Sequence, residues 1–171
     1  MATLHPSAPL IFLLLLLQAG CSPVLQEPLP VTRLWAGQFC RISNEPEARW
    51  IRDQKSLANI FERLSPPSIS PTSSKPPIND PIDFTKELLL LISMGEQPTA
   101  GFSLTSAPTA PILTNGTAQL NFTWHRPDPT RMTAQVITNP CLLVKLPNHG
   151  YRNLEIIDQD GKTQFQLPLD H

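Results

Sequence analysis

Between residues 65 and 81 the chain reads SPPSISPTSSKPPINDP, and six of these 17 residues are proline. Proline fixes φ and offers no backbone N–H, so neither a helix interior nor a central strand can run through such a stretch. It is read as an extended connection, and the fold must be assembled from what lies on either side.

On the N-terminal side, residues 31–42 hold Val, Leu, Trp, Phe, Cys and Ile around Gly37. That composition predicts a first strand, bulged at the glycine. A helix is predicted to open at Asn44 or Glu45, with Pro46 in its first turn. Trp50, Leu57, Ile60, Phe61 and Leu64 recur at helical spacing, with Arg49, Arg52, Asp53, Lys55, Glu62 and Arg63 opposite. A break is placed near Asp53. The apolar stripe is expected to cover a sheet.

After residue 81 the pattern turns to β. Residues 86–94 (KELLLLISM) are apolar on both faces, which suits a central strand. Residues 117–125 alternate, with Leu120, Phe122 and Trp124 on one side and Asn121 and Thr123 on the other. Further strands are expected over 102–106, 132–138, 141–146, 154–157 and 163–167, the last two joined by a hairpin turn at Asp158-Gln159-Asp160-Gly161-Lys162. The expected fold class is α+β: a mainly antiparallel sheet, sandwich-like or half-barrel, with one amphipathic helix packed against it. Residues 31–171 are read as a single domain.

The first 20 residues are read apart from that domain. Residues 10–17 form an unbroken apolar run of eight, whereas a membrane-spanning helix needs about 20. An apolar core followed by small residues is the pattern of a signal peptide, here 1–20. Ala19 and Gly20 precede Cys21 in a way that resembles the bacterial lipobox. Gln18 stands where that pattern prefers Leu, and residues 1–9 contain no Lys or Arg. The resemblance implies acylation of Cys21, a lipidated tether over 21–30 and a membrane partner reached through the acyl chains. With Ser22 after the cysteine, it also implies the cell envelope, at the periplasmic face of the outer membrane.

Net charge is -1, and no basic stripe points to nucleic acid. With Cys21 acylated, Cys40 and Cys141 remain. Two readings stand for them: a disulfide, permitted in an oxidising compartment, or two buried thiols. His125, His149 and His171 have no partner at metal-ligand spacing, and no nucleophile elbow, zinc motif or phosphate-binding glycine loop is present. Neither catalysis, a cofactor, a metal nor a small-molecule substrate is therefore expected. Asp158-x-Asp160-Gly161 is read as a turn, since Leu169 stands where a calcium loop needs its glutamate. Asn115-Gly116-Thr117 and Asn121-Phe122-Thr123 match glycosylation sequons that a bacterial lipoprotein would not normally use.

One loop stands out. Residues 95–102 (GEQPTAGF) carry Gly95 and Gly101, able to take positive φ, around Pro98, which fixes its own φ. The reading is a rigid loop presenting Glu96, Gln97 and Thr99 outward, with Phe102 starting the next strand. A purely structural turn is the alternative.

This loop is part of a wider resemblance. The segments are Pro81-Ile82-Asp83-Phe84, the apolar run 88–93, Gly95, and Pro98-Thr99-Ala100-Gly101-Phe102. Val136-Ile137-Thr138-Asn139-Pro140 then leads into Leu143-Val144-Lys145-Leu146-Pro147. In order and spacing these resemble the C-terminal domain of the PrcB protease complex subunit family; Ile156-Ile157-Asp158 and Gly161 also fit. Two positions depart from that family: Ala100-Gly101-Phe102 replaces its usual Gly-Gly-Tyr, and Cys141 stands where an aromatic is common. The resemblance implies an exported, often lipidated, non-catalytic protein that accompanies or stabilises a protease. A second resemblance is to chagasin-like inhibitors of cysteine proteases, through Gln97-Pro98-Thr99-Ala100-Gly101-Phe102 and Arg126-Pro127, with Asp128 where their tryptophan stands. Residues 96–99, Gly101, Phe102 and Arg126 are accordingly the candidate partner-binding positions. The expected function is a protein-interaction module of the envelope, its partner a protease or another protein. A protease inhibitor and a structural lipoprotein are the alternatives.

Overall fold

The computed structural model describes residues 28–64, 78, 81–107 and 110–169. The segment read as a signal peptide, Cys21, and most of the Pro-rich segment and of the expected tether lie outside the described residues. Among the described residues, nine strands and one helix follow in order: β1 (Thr32–Gly37), β2 (Glu47–Ile51), α1 (Gln54–Leu64), β3 (Glu87–Ser93), β4 (Ser103–Ser106), β5 (Ile112–Thr114), β6 (Thr117–His125), β7 (Cys141–Pro147), β8 (Asn153–Ile157) and β9 (Thr163–Pro168).

The strands form two sheets. The first has the order β1-β7-β3-β2 and is antiparallel throughout. The second has the order β4-β6-β8-β9, with β5 also on β6, and its β6–β8 pair is parallel. They do not close into a barrel. Period-two alternation along β3 and β7 sorts their apolar side chains between two cores. Leu88, Leu90, Ile92, Leu142, Val144 and Leu146 face the second sheet and meet Leu120, Phe122, Leu154 and Ile156. Leu89, Leu91 and Leu143 face the other way and are covered by Leu57, Ile60, Phe61 and Leu64 of α1. This two-sided cover is why residues 88–93 are apolar without interruption, while β6, covered on one side only, alternates.

Where the two sheets come together beside β2, the Trp50 indole N–H donates to the Pro168 carbonyl (3.0 Å) and its ring lies 6.4 Å from that of Tyr151. The Tyr151 hydroxyl donates to the Pro147 carbonyl at 2.8 Å. Cys40 and Cys141 are joined in a disulfide with Cα atoms 5.9 Å apart, both buried.

Four expectations are corrected. First, residues 47–51 are a strand, not the opening of the helix; Glu47 pairs with Ser93 and Ile51 with Leu89. Trp50 fell on the helical stripe by coincidence of spacing: it faces the inter-sheet core, whereas Ile51 belongs to the core under α1. The helix begins after Asp53, whose carboxylate accepts from the Ser56 N–H (2.8 Å) and hydroxyl (2.7 Å) as its N-cap. Second, β5 was not expected. Asn115 (φ 51°) and Gly116 (φ 78°) form a two-residue turn with both φ positive, joining β5 to β6 through the Thr114–Thr117 pair. The Asn-Gly dipeptide is a hairpin signal that its reading as a sequon concealed. Third, β1 stops at Gly37, and its irregularity lies between Arg33 and Trp35 rather than at the glycine. Fourth, residues 132–138 are not a strand; only Thr138 makes a bridge, to Gln97.

Candidate functional site

The loop after β3 does not form a hairpin. It leaves the first sheet at Ser93 and enters the second at Ser103, so it crosses between layers. Its first residue is seated against the 44–46 backbone. Gly95 has φ 71°, and a Cβ there would lie 2.5 Å from the Asn44 carbonyl oxygen. The next N–H, of Glu96, donates to that same oxygen at 2.8 Å. Glycine is needed here both for φ and for room.

The loop is then tied to the segment preceding β7. Gln97 and Thr138 exchange both backbone hydrogen bonds, at 2.7 and 3.0 Å. The Thr138 hydroxyl donates to the Thr99 carbonyl (3.0 Å), and the Ala100 N–H donates to the Ala134 carbonyl (3.0 Å). Inside this frame sits Asn139, nearly buried. Its Oδ1 accepts from the Ser93 hydroxyl (2.8 Å), its Nδ2 donates to the Ser43 carbonyl, and its backbone bonds Gln38 and Cys40. Ser93 in turn accepts from the Gly95 N–H at 3.1 Å. One asparagine thus fastens three chain segments, with every polar group of its amide plane aimed at a partner.

The predicted positions divide. Glu96 and Pro98 are exposed, and the Glu96 carboxylate makes no hydrogen bond or ion pair with any described residue. Gln97 and Thr99 are half-buried: the Gln97 amide donates to the Met94 carbonyl (2.8 Å) and the Thr99 hydroxyl to the Ala100 carbonyl (3.2 Å). Their side chains hold the loop's shape rather than pointing freely outward. Phe102 packs on the inter-sheet core. Gly101 (φ 96°) lies close to Pro127, where an added Cβ would come within 3.0 Å, so the structure brings the loop and the exposed Arg126 turn together. In that turn, hydrogen bonds from the Thr130 hydroxyl and backbone hold the Asp128 carboxyl below the usual carboxylate range.

Sequence reading missed the apolar surface beside the loop. Phe39 (49% exposed), Val136 (42%), Ile137 (64%) and Met132 (fully exposed) point to solvent. Phe39, Ile137, Arg41 and Glu96 border a shallow hollow of about 210 Å³ floored by Thr138 and Asn139. Phe39 is brought there by the Phe39–Asn139 bridge and by the disulfide one residue on. Isolated exposed apolar residues are ordinary, but Phe39 and Ile137 share one hollow beside the loop, with Val136 next in the chain, which makes this side the candidate contact surface. Part of the signal is the run of apolar letters over 132–138, which the sequence reading takes as a strand.

Among the described residues no three His, Cys, Asp or Glu side chains gather in a way that could hold a metal ion. His125 and His149 are exposed. The chemistry this surface offers is apolar contact, backbone hydrogen bonding and one free carboxylate.

Residues 88–147 match the family model described as PrcB C-terminal. The match starts in β3, takes in the whole 95–101 loop and ends with β7, which bears out the resemblance seen in the sequence. No curated protein and no solved structure matches the chain.

Proposed function

We propose, from the match of residues 88–147 to the PrcB C-terminal family, that this chain is a non-catalytic subunit that binds and stabilises an exported protease. The observation that carries the reading is the site itself: a loop hydrogen-bonded on both flanks, beside exposed apolar side chains with Arg41 and Glu96 at their border. A pre-ordered loop loses little conformational entropy on docking, so contact area is converted to affinity efficiently. In this reading Cys21 is lipidated and residues 21–30 tether the domain at the periplasmic face of the outer membrane.

The test is capture of the tagged full chain from detergent-solubilised envelopes, with mass spectrometry of what comes with it. The expected result is an exported protease whose half-life shortens in cells lacking the chain. Recovery without any protease, or a protease whose lifetime is indifferent to the chain, would overturn the reading. Labelled palmitate entering the wild type but not Cys21→Ser is the expected outcome for the anchor.

The contact of Gly101 with Pro127 favours a second reading, as an inhibitor of cysteine proteases, because it sets two short loops side by side. Titration against a papain-type enzyme decides it: inhibition that Arg126→Ala weakens supports it, and unchanged activity ends it.

A further inference from the structure

The segment from residue 133 to 138 is tied to the 95–101 loop at two residues and leaves backbone groups unpaired between them. The Ala134 carbonyl accepts from the Ala100 N–H, and both backbone groups of Thr138 bond Gln97. Among the described residues, neither the N–H nor the C=O of Thr133, Gln135 or Ile137 takes part in a backbone hydrogen bond. The side chains along it, Met132, Val136 and Ile137, are exposed and apolar, and no charged residue occurs between Met132 and Asn139. Val-Ile-Thr is strand-favouring, which is why the sequence predicts a strand here. What interrupts it is one three-residue turn, in which the Val136 N–H donates back to the Ala134 carbonyl at 2.9 Å. Among the described residues only Asn115 is a non-glycine with positive φ, so Gln135, at the centre of that turn, has the negative φ of the common inverse form. Such turns are common at strand ends, next to extended backbone.

We propose that the partner contributes an extended, uncharged apolar segment that adds as a strand along residues 133–137, completing the strand that the free chain lacks. This rests on the reading of the chain as a partner-binding subunit and states how the binding is made. Main-chain hydrogen bonds to Gln135 and Ile137 provide the pairing, and alternate side chains of the incoming strand cover Ile137, Val136 and the neighbouring Phe39. No charge lies on the segment itself, so a side chain laid over Met132, Val136 or Ile137, away from Arg41 and Glu96 at the border of the hollow, is best uncharged, because a charge there would be desolvated against apolar neighbours.

The experiment uses the full chain in its own envelope. Amide exchange is read at Thr133, Gln135 and Ile137, free and in the captured complex. These amides exchange fast in the free chain and are expected to slow in the complex. Gln135→Pro removes one outward N–H while suiting the negative φ of the turn, and Gln135→Ala keeps that N–H. Capture is expected to fall by about tenfold or more for the proline variant, the weight of a net backbone hydrogen bond or somewhat more, and to hold for the alanine variant. Ile137→Lys, which leaves the backbone intact, is expected to fall likewise. A photo-crosslinking residue in place of Ile137, with Gln166 on the far sheet as control, identifies what lies on the edge. Capture of a protease with all three amides still fast overturns the strand proposal and leaves the protease reading standing. A partner other than a protease that slows the same amides supports the strand and overturns the protease reading. A cross-link joining two copies of this chain overturns the proposal in favour of self-pairing.

Discussion

Asn139 shows how much of the site depends on one side chain. Its side-chain amide links Ser93 and Ser43, while its backbone bonds the 38–40 backbone. Asn139→Ala leaves the Ser93 hydroxyl without its acceptor and the Ser43 carbonyl without its donor, inside a nearly closed space. A loss of about 1–3 kcal/mol is expected in urea unfolding, from the desolvation of buried groups left unbonded. Gly95→Ala is expected to destabilise as well, because positive φ and a Cβ 2.5 Å from a backbone oxygen oppose it together. The two variants differ in one readout: the alanine at 95 should move the loop amides of 96–101 more than those of 38–43 in an NMR spectrum. The glycines and proline of this loop were visible in the sequence as conformational punctuation. Asn139 was visible only as a letter in a family motif, because its role depends on contacts with residues about a hundred and about fifty positions away.

At the scale of elements, legibility followed from how each one is covered. β3 and β6 were read with nearly correct bounds, since burial on two faces and on one face leave different patterns in the letters. β2 was misread because five residues of strand followed by a helix happened to place Trp50 seven positions before Leu57. The helix start itself depends on Asp53. Hydrogen bonds from Ser56, first from its backbone N–H and then from its hydroxyl, hold the Asp53 carboxyl below its ordinary value. A depressed carboxylate contributes stability above its unfolded-state pKa, about 3.9, and that contribution disappears as pH falls through the folded-state value. Asp53→Ala is therefore expected to lower the melting temperature at neutral pH, with the gap to wild type closing in acid. A gap that stays constant from pH 7 to pH 2 would show that the cap acts without its charge.

For the whole molecule, the disulfide is the longest covalent constraint, joining positions 101 residues apart. Reduction, or Cys40→Ala with Cys141→Ala, is expected to cost about 2–5 kcal/mol in denaturant unfolding, mostly through the enlarged freedom of the unfolded chain. It should also loosen Phe39, so partner capture is expected to decline before global unfolding is reached. The layered arrangement could be anticipated from sequence only as a class. Which strands share a sheet, and that β6 and β8 run parallel, depends on crossings between layers that no local pattern encodes. The place where those layers meet carries its own optical reporter. Tyr151 is the one tyrosine in the chain, and burial pushes its phenol well above the ordinary range. A raised phenol contributes stability below its unfolded-state value, about 10, and loses it as pH rises toward the folded-state one. Phenolate absorbance near 295 nm should therefore stay flat in alkali until the sheets part, then rise in a single step. Excitation transfer from Tyr151 to Trp50 should vanish at the same moment, so an ultraviolet spectrum alone would time the opening of the sandwich.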